Sequence, residues 1–144
     1  HKFPTDSPLR HLILVVDVTD NSGTPLLQIS GNTIPLWGGV GSNTAMDFAG
    51  RPGQIFANML MDKDTNITPT FSYWNPTQPA WSGSDTRLVP RVEVFSEYAF
   101  AAPANGSAIV SVRLIYRNAF IDAARQKGWP VTDIVVTQTT VNVP

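Results

Sequence analysis

Apolar residues recur at every second position over long stretches of this chain. In His11–Thr19, HLILVVDVT, Leu12, Leu14, Val16 and Val18 make one wholly apolar row, while His11, Ile13, Val15 and Asp17 make a mixed one. In Ala108–Tyr116, AIVSVRLIY, the residues Ala108, Val110, Val112, Leu114 and Tyr116 fall on one side. A period of two places alternate side chains on opposite faces of a strand, so both stretches are predicted strands. TDIVVTQTTVNV, residues 132–143, is predicted as a closing strand because β-branched side chains fit a pleated surface. Val92–Phe100, VEVFSEYAF, is expected to be another, with Val92, Val94, Tyr98 and Phe100 opposed to Glu93 and Glu97.

Helix is confined to one place. Asn118 is expected to cap a short helix over Ala119–Lys127, with Gly128 as the left-handed residue that ends it and Pro130 preventing its resumption. Strands without a βαβ rhythm imply an all-β fold, an antiparallel β-sandwich of the Ig-like kind with one short C-terminal helix, formed as a single domain over residues 1–144. The connections are less regular. Pro4 and Pro8 keep the first ten residues irregular, DNSGTP is a turn, and LLQIS is a return strand. GQIFANMLMD fits either a strand or a short helix. DKDTNITPTFSYWNPTQPAWSGSD reads as an extended loop pinned by Tyr73, Trp74 and Trp81, and loops of that length are more often functional than idle.

Composition removes several function classes. The ten Lys and Arg residues are scattered and the net charge is −1, so nothing gathers the cations that nucleic acid requires. The longest apolar run, Leu12–Val16, is strand-sized and far too short to cross a bilayer, and no signal-peptide pattern is present. There is no cysteine, which excludes disulfides, iron–sulfur ligation, thiolate zinc and covalent haem attachment by this stretch itself. Loops rich in Pro, Gly, Ser and Thr suit an exported bacterial protein.

Two histidines, His1 and His11, both lie at the N-terminal end. A terminal amine with its own imidazole and a second imidazole offers three nitrogens in a plane, the donor set of a copper brace serving copper carriage or oxidative chemistry. A cleaved terminus and a strand-start histidine explain the same residues. Asp62, Asp64 and Asn66 resemble the start of a calcium loop, but Ile67 and Tyr73 stand where Gly and Glu are needed, which favours a solvated turn. Asp85 with Arg87, and Arg91 before a strand, read as a loop buttress. Glu93 and Glu97, on one face of one strand, are too commonplace to make a glycosidase pair. No nucleophile triad and no phosphate-cradling loop can be assembled. Trp74 and Trp81 suit stacking on sugars in a haem-free adhesion or carbohydrate-binding sandwich, although a packed loop explains them equally.

HKFPTDSPLRHLILVVDVTDNSG resembles the segment that follows the haem-binding region in bacterial multihaem c-type cytochromes, where a GHK-apolar-PT motif leads into a strand. SDTRLVPRVEVFSEYAF is similar to that family's DTR-apolar-P loop, and VSVRLIYRNAFIDAARQKGWPVTDIVV to its strand, short helix and closing strand. The likeness is weakest over residues 31–80. The resemblance implies the family's C-terminal β-sandwich domain, non-enzymatic by itself, extracytoplasmic, and docked on haem-bearing segments for electron transfer. It places His1 as a distal axial ligand to a haem c whose CxxCH attachment lies on another segment or subunit. Asp6 is the candidate to orient that imidazole, and His11 matches no family ligand. The expected partner is the haem-bearing portion, with CxxCH motifs expected upstream of His1; a homo-oligomer or filament is also compatible with such a module.

Overall fold

The structure, a computed structural model, describes residues 1–144 except Asp6, Tyr73 and Asn105. In chain order its strands are β1 (His11–Asp20), β2 (Gln28–Ser30), β3 (Gly53–Phe56), β4 (Leu60–Asp62), β5 (Thr77–Pro79), β6 (Ala99–Phe100), β7 (Ala108–Arg117) and β8 (Asp133–Val143). Two short helices, α1 (Leu36–Gly39) and α2 (Ile121–Lys127), and a 3-10 turn over Thr44–Met46 complete the elements. The fold is all-β, antiparallel and sandwich-like, with α2 as its longest helix among the described residues.

The three long apolar stretches pair with one another. With β3 they form a four-stranded antiparallel sheet in the order β3-β1-β7-β8, and two-stranded ribbons β2-β6 and β4-β5 lie outside it. Register aligns Leu12 with Tyr116, Leu14 with Leu114, Val16 with Val112 and Val18 with Val110, so the apolar rows of β1 and β7 share a face. His11 faces Arg117, Ile13 faces Ile115, Val15 faces Arg113 and Asp17 faces Ser111 on the other. The main core forms on this mixed face. Ile13, Val15 and Ile115 pack there with Ile34, Phe48, Ile55, Phe120 and Ala123. The wholly apolar face instead floors a groove of about 520 Å³, walled by Val94, Tyr98, Phe100 and Pro103.

Several expectations need correction. Only Ala99–Phe100 of the expected Val92–Phe100 strand is extended and paired, and its partner β2 is three residues long with a register shift. Val92, Val94 and Phe95 are exposed, and Arg91, expected to precede a strand, turns the chain at φ 63°. Alternation supplied a face for this segment but no neighbouring strand to satisfy its amides. Asn118 does not cap α2. Its side chain accepts from the Thr132 amide at 3.0 Å and donates to the Pro130 carbonyl at 3.3 Å, which fastens the connection into β8. The helix begins at Ile121 behind Phe120, without a side-chain cap, and ends as expected at left-handed Gly128. GQIFANMLMD resolves into β3 and β4, and the long segment beyond contains β5, which gives it a pairing partner. Tyr73 lies outside the described residues.

Gly53 is required where β3 meets β1. It sits at φ 150° opposite Val15, and a Cβ there would lie 2.0 Å from the Leu14 carbonyl oxygen, a backbone atom that cannot rotate away. Gly50 has a left-handed φ of 77° but open space around it. Gly50→Ala should therefore cost about 1–2 kcal/mol of backbone strain, whereas Gly53→Ala should cost more, because β3 has to separate from β1. Urea midpoints in the order wild type, Gly50→Ala, Gly53→Ala check this, and equal midpoints for the two variants refute it.

Candidate functional site

The mixed face of the sheet carries a buried ionic cluster centred on Arg117. Its side chain is fully buried. Nε and Nη2 donate to Oδ1 and Oδ2 of Asp133 at 2.7 and 2.9 Å, a bidentate pair. Nη1 donates to the carbonyls of Gly38, Gly39 and Val40 at 3.3, 3.4 and 2.9 Å, and Nη2 also reaches the Met46 carbonyl. These are carbonyls at the end of α1 and in the following turn, which helix geometry leaves without intrahelical donors. Arg51, Arg113 and Arg117 each approach the Phe48 ring, at 5.6, 5.7 and 5.6 Å from its centroid. Asp17 accepts from both Arg51 and Arg113. The ring face attracts all three guanidiniums, and two carboxylates offset their mutual repulsion.

His11 lies against this cluster. It is fully buried and stacked on Phe120, with ring centroids 4.4 Å apart and planes 11° from parallel. Nδ1 lies 3.1 Å from the Leu9 carbonyl and Nε2 3.1 Å from the Gly38 carbonyl. A neutral ring has one N–H and satisfies one of these oxygens at a time, and Arg117 gives Gly38 a second donor. Burial pushes the His11 pKa down from 6.5 to about 4, and the Arg117 charge adds to that lowering against the opposing pull of the carbonyls. The copper brace draws on His1 and His11, and the two rings lie in different surroundings. His1 is exposed, whereas both His11 nitrogens are enclosed against carbonyls, so this ring reaches a metal only by leaving the core. Among the described residues, no group of three or more His, Asp or Glu side chains is arranged to hold a metal ion.

The N-terminal arm reaches the other segment of interest. Phe3 and Leu88 exchange backbone hydrogen bonds, both at 2.8 Å. Lys2 Nζ donates to Asp85 Oδ2 at 2.8 Å. Arg87 grips the same carboxylate through Nε and Nη2, both at 2.8 Å. Its hydrogen bonds, aided by Lys2, hold the Asp85 carboxyl well below the usual carboxylate range. The Asp85–Arg87 buttress is thus present, and it braces the arm as well as its own loop. The loop is anchored in turn: Thr86 Oγ1 accepts from the Ala57 amide at 3.1 Å, and buried Ser84 donates to the Met59 carbonyl at 3.0 Å. His1 is exposed at the end of this mount. Asp6, the candidate to orient it, lies outside the described residues.

The remaining candidates are local. Asp62 is buried and acts as the brace of a turn. Oδ1 accepts from the Asp64 and Thr65 amides at 2.8 and 3.0 Å, and Oδ2 from Asn75 at 2.8 Å. Asn75, followed by those amides, lowers its pKa. Asn66 enters the left-handed region at φ 59° and closes the turn, so the acidic motif serves loop geometry. Trp74 and Trp81 have different ring neighbours. Trp81 meets Trp37 edge-on at 6.5 Å, while Lys127 Nζ lies 5.5 Å from both Trp74 and Trp129. Glu93 and Glu97 lie on the irregular segment before β6, away from any strand face.

Sequence reasoning missed Arg117, Arg113 and Arg51. The available signal was the alternation of β7 itself, which puts Arg113 and Arg117 on the row opposite the apolar one, in register with the mixed row of β1. No helix among the described residues is long and apolar enough to cross a membrane. No protein-family model, curated protein or solved structure matches this chain.

Two outcomes follow from the cluster. Arg117→Met should cost about 3–5 kcal/mol, because it leaves Asp133 and several carbonyls without their donor; a urea midpoint within error of wild type refutes that. For His11 the folded pKa lies below the unfolded one, so its contribution is fully present above pH 6.5 and is lost as pH falls from there toward 4. The shift amounts to something on the order of 3 kcal/mol. Stability should therefore fall across that window in wild type, and the slope should flatten in His11→Gln. Proton NMR of the two imidazoles, with the buried one titrating at or above its ordinary value, contradicts this.

Proposed function

We propose that this chain is the β-sandwich module of a multihaem c-type cytochrome assembly, extracytoplasmic and without catalytic activity of its own. It docks on the haem-bearing segments and presents His1 as a distal axial ligand. One observation carries the reading. Two of the segments that carry the resemblance, HKFPT and DTRLVP, are far apart in the chain and yet joined, Lys2 to Asp85 at 2.8 Å and Phe3 to Leu88 through two backbone bonds. A resemblance produced by chance in two short motifs gives no reason for them to meet.

The chemistry of the mount suits that role. An axial imidazole binds through one neutral nitrogen, so its ring has to be exposed, as His1 is. Its chain must nevertheless be held, and Lys2 and Phe3 hold it from the two adjacent positions. Haem c, attached through CxxCH on another segment or subunit, supplies the one-electron couple when bound. Two axial histidines leave no open position on iron, which suits electron transfer and not oxygen chemistry. The Asp85–Arg87 pair fixes the loop to which the arm is fastened, and the sheet behind it spaces and shields the electron-carrying part.

The test uses the natural full-length polypeptide or complex. The reading expects CxxCH motifs in the coding sequence before His1 or in a co-purifying subunit. It also expects a low-spin haem population that diminishes in His1→Ala, read by electronic absorption and EPR. Lys2→Ala with Asp85→Asn should weaken the same signature while sparing the fold. An unchanged spectrum in His1→Ala removes the ligand role, and absence of haem from the purified material removes the assignment.

A further inference from the structure

The apolar row shared by β1 and β7 does not close against a second sheet. Leu14, Val16, Val18, Val110 and Val112 floor the groove of about 520 Å³, and Leu26, the chain around Val94–Pro103 and Val143 at the end of β8 border it. The space is a concavity and not a flat exposed face. Val16 and Val18 on its floor are 5% and 7% exposed, whereas Val94 and Val143 at its border are 51% and 45% exposed. Among the described residues, no charged side chain lines it, and Ser96 and Tyr98 alone contribute polar ones.

The floor has no directional bond to offer. β1 and β7 lie inside the sheet, and their hydrogen bonds run in its plane. Past the end of β3, the Val16 amide donates to the Pro52 carbonyl and the Val18 carbonyl accepts from the Leu26 amide, both at 2.9 Å. A charged ligand would lose its hydration there without a partner, and a peptide backbone laid on this floor would do the same with its amides. An α-helix, about 10 Å across, fills such a volume in little more than one turn. The volume matches a small molecule instead, because sites for these span roughly 300–1,000 Å³ and combine apolar walls with very few polar groups. One such group stands in the wall. The Tyr98 hydroxyl is buried without a hydrogen bond, the lone side-chain atom of that kind among the described residues; Ser96 lies beside it, but no hydrogen bond joins the two. Buried hydroxyls are ordinarily paired. Val92–Tyr98 is irregular chain, so this ring can turn toward an occupant without breaking a strand.

We propose that this groove binds a small neutral molecule with a hydrocarbon body and a single hydroxyl or carbonyl group. The body lies on the valines of β1 and β7, and the polar group pairs with Tyr98. The lining chemistry selects this class: an uncharged floor excludes ions, in-plane hydrogen bonding excludes recognition of a backbone, and one unpaired hydroxyl calls for one partner. The groove shares no lining residue with the arm that holds His1, so the proposal stands or falls without the haem reading.

Two fluorophores with one skeleton test the charge argument: neutral N-phenyl-1-naphthylamine and its sulfonate, 1-anilinonaphthalene-8-sulfonate. Titration of the natural polypeptide should show saturable binding of the neutral probe, roughly tenfold tighter than the sulfonate. Val110→Phe and Val112→Phe fill the groove from its floor, and each should weaken the neutral probe by roughly tenfold with unchanged far-UV circular dichroism. Val136→Phe, half-exposed on β8 outside the groove, is the control and should bind as wild type does. In wild type the probe should give NMR cross-peaks to the methyl groups of Val16, Val110 and Val112, which places it without recourse to a variant. Competition then tests the polar group: Tyr98→Phe should weaken decan-1-ol by roughly fivefold and leave decane unchanged. No saturable binding up to about 100 μM, a sulfonate that binds as tightly, probe cross-peaks that miss these valines, or equal effects of Tyr98→Phe on the alcohol and the alkane overturns the proposal. So does a wild-type dimer in sedimentation velocity that the probe dissociates, because that outcome gives the groove to a second copy.

Discussion

A buried guanidinium organises this protein. Arg117 ends β7 on the mixed face, and a cation there is tolerable only if its donors are met. Asp133 supplies a carboxylate from the first residue of β8, and the end of α1 and the turn at Met46 supply carbonyls. One side chain thereby ties the last two strands of the sheet to the segment that covers it. That segment has little regular structure of its own, a four-residue helix and a 3-10 turn, so its position depends on such external donors. The same charge helps keep His11 neutral, and neutrality lets the ring stack on Phe120 inside the core.

The cluster and the N-terminal mount are linked through β3 and the chain after it. β3 pairs with β1 through Ile13–Ile55 and Val15–Gly53, close to the arginines around Phe48. The residues just beyond, Ala57 to Met59, bond to Thr86 and Ser84 of the loop that receives Lys2 and Phe3. A chain of backbone pairing thus runs from the sheet to the exposed His1. The ring is presented by a surface arm, but the arm is seated on the rigid part of the molecule.

The two faces of the sheet have opposite fates. Polar residues on the mixed face recruit a cover, because Arg117, Asp17 and His11 bind specific groups on α1, Arg51 and the adjoining turns. The purely apolar face is bordered by Leu26 and by the loosely structured chain around Val94–Pro103, and a groove remains there. Directional contacts, more than hydrophobicity, decide which segment lies where. The groove and the neutral edge of β8 meet at Val143.

The sequence by itself determined the long strands. Their period of two and their β-branched residues are local properties, and β1, β7, β8 and the end of α2 at Gly128 lie where those properties put them. It also carried the resemblance that singled out His1 and the DTR loop. Val92–Phe100 shows the limit: its alternation is as regular as that of β7, yet a strand exists only where a neighbour accepts its hydrogen bonds, and no window of sequence contains that neighbour. Arg117 was hidden for the same reason, since its partners lie 16 to 79 residues away in the chain. Only the tertiary structure could decide that the mixed row faces the core, that His11 is sealed within it while His1 stays outside, and that HKFPT meets DTRLVP. Each of these depends on which distant carbonyl, carboxylate or amide a side chain finds when the sheet closes.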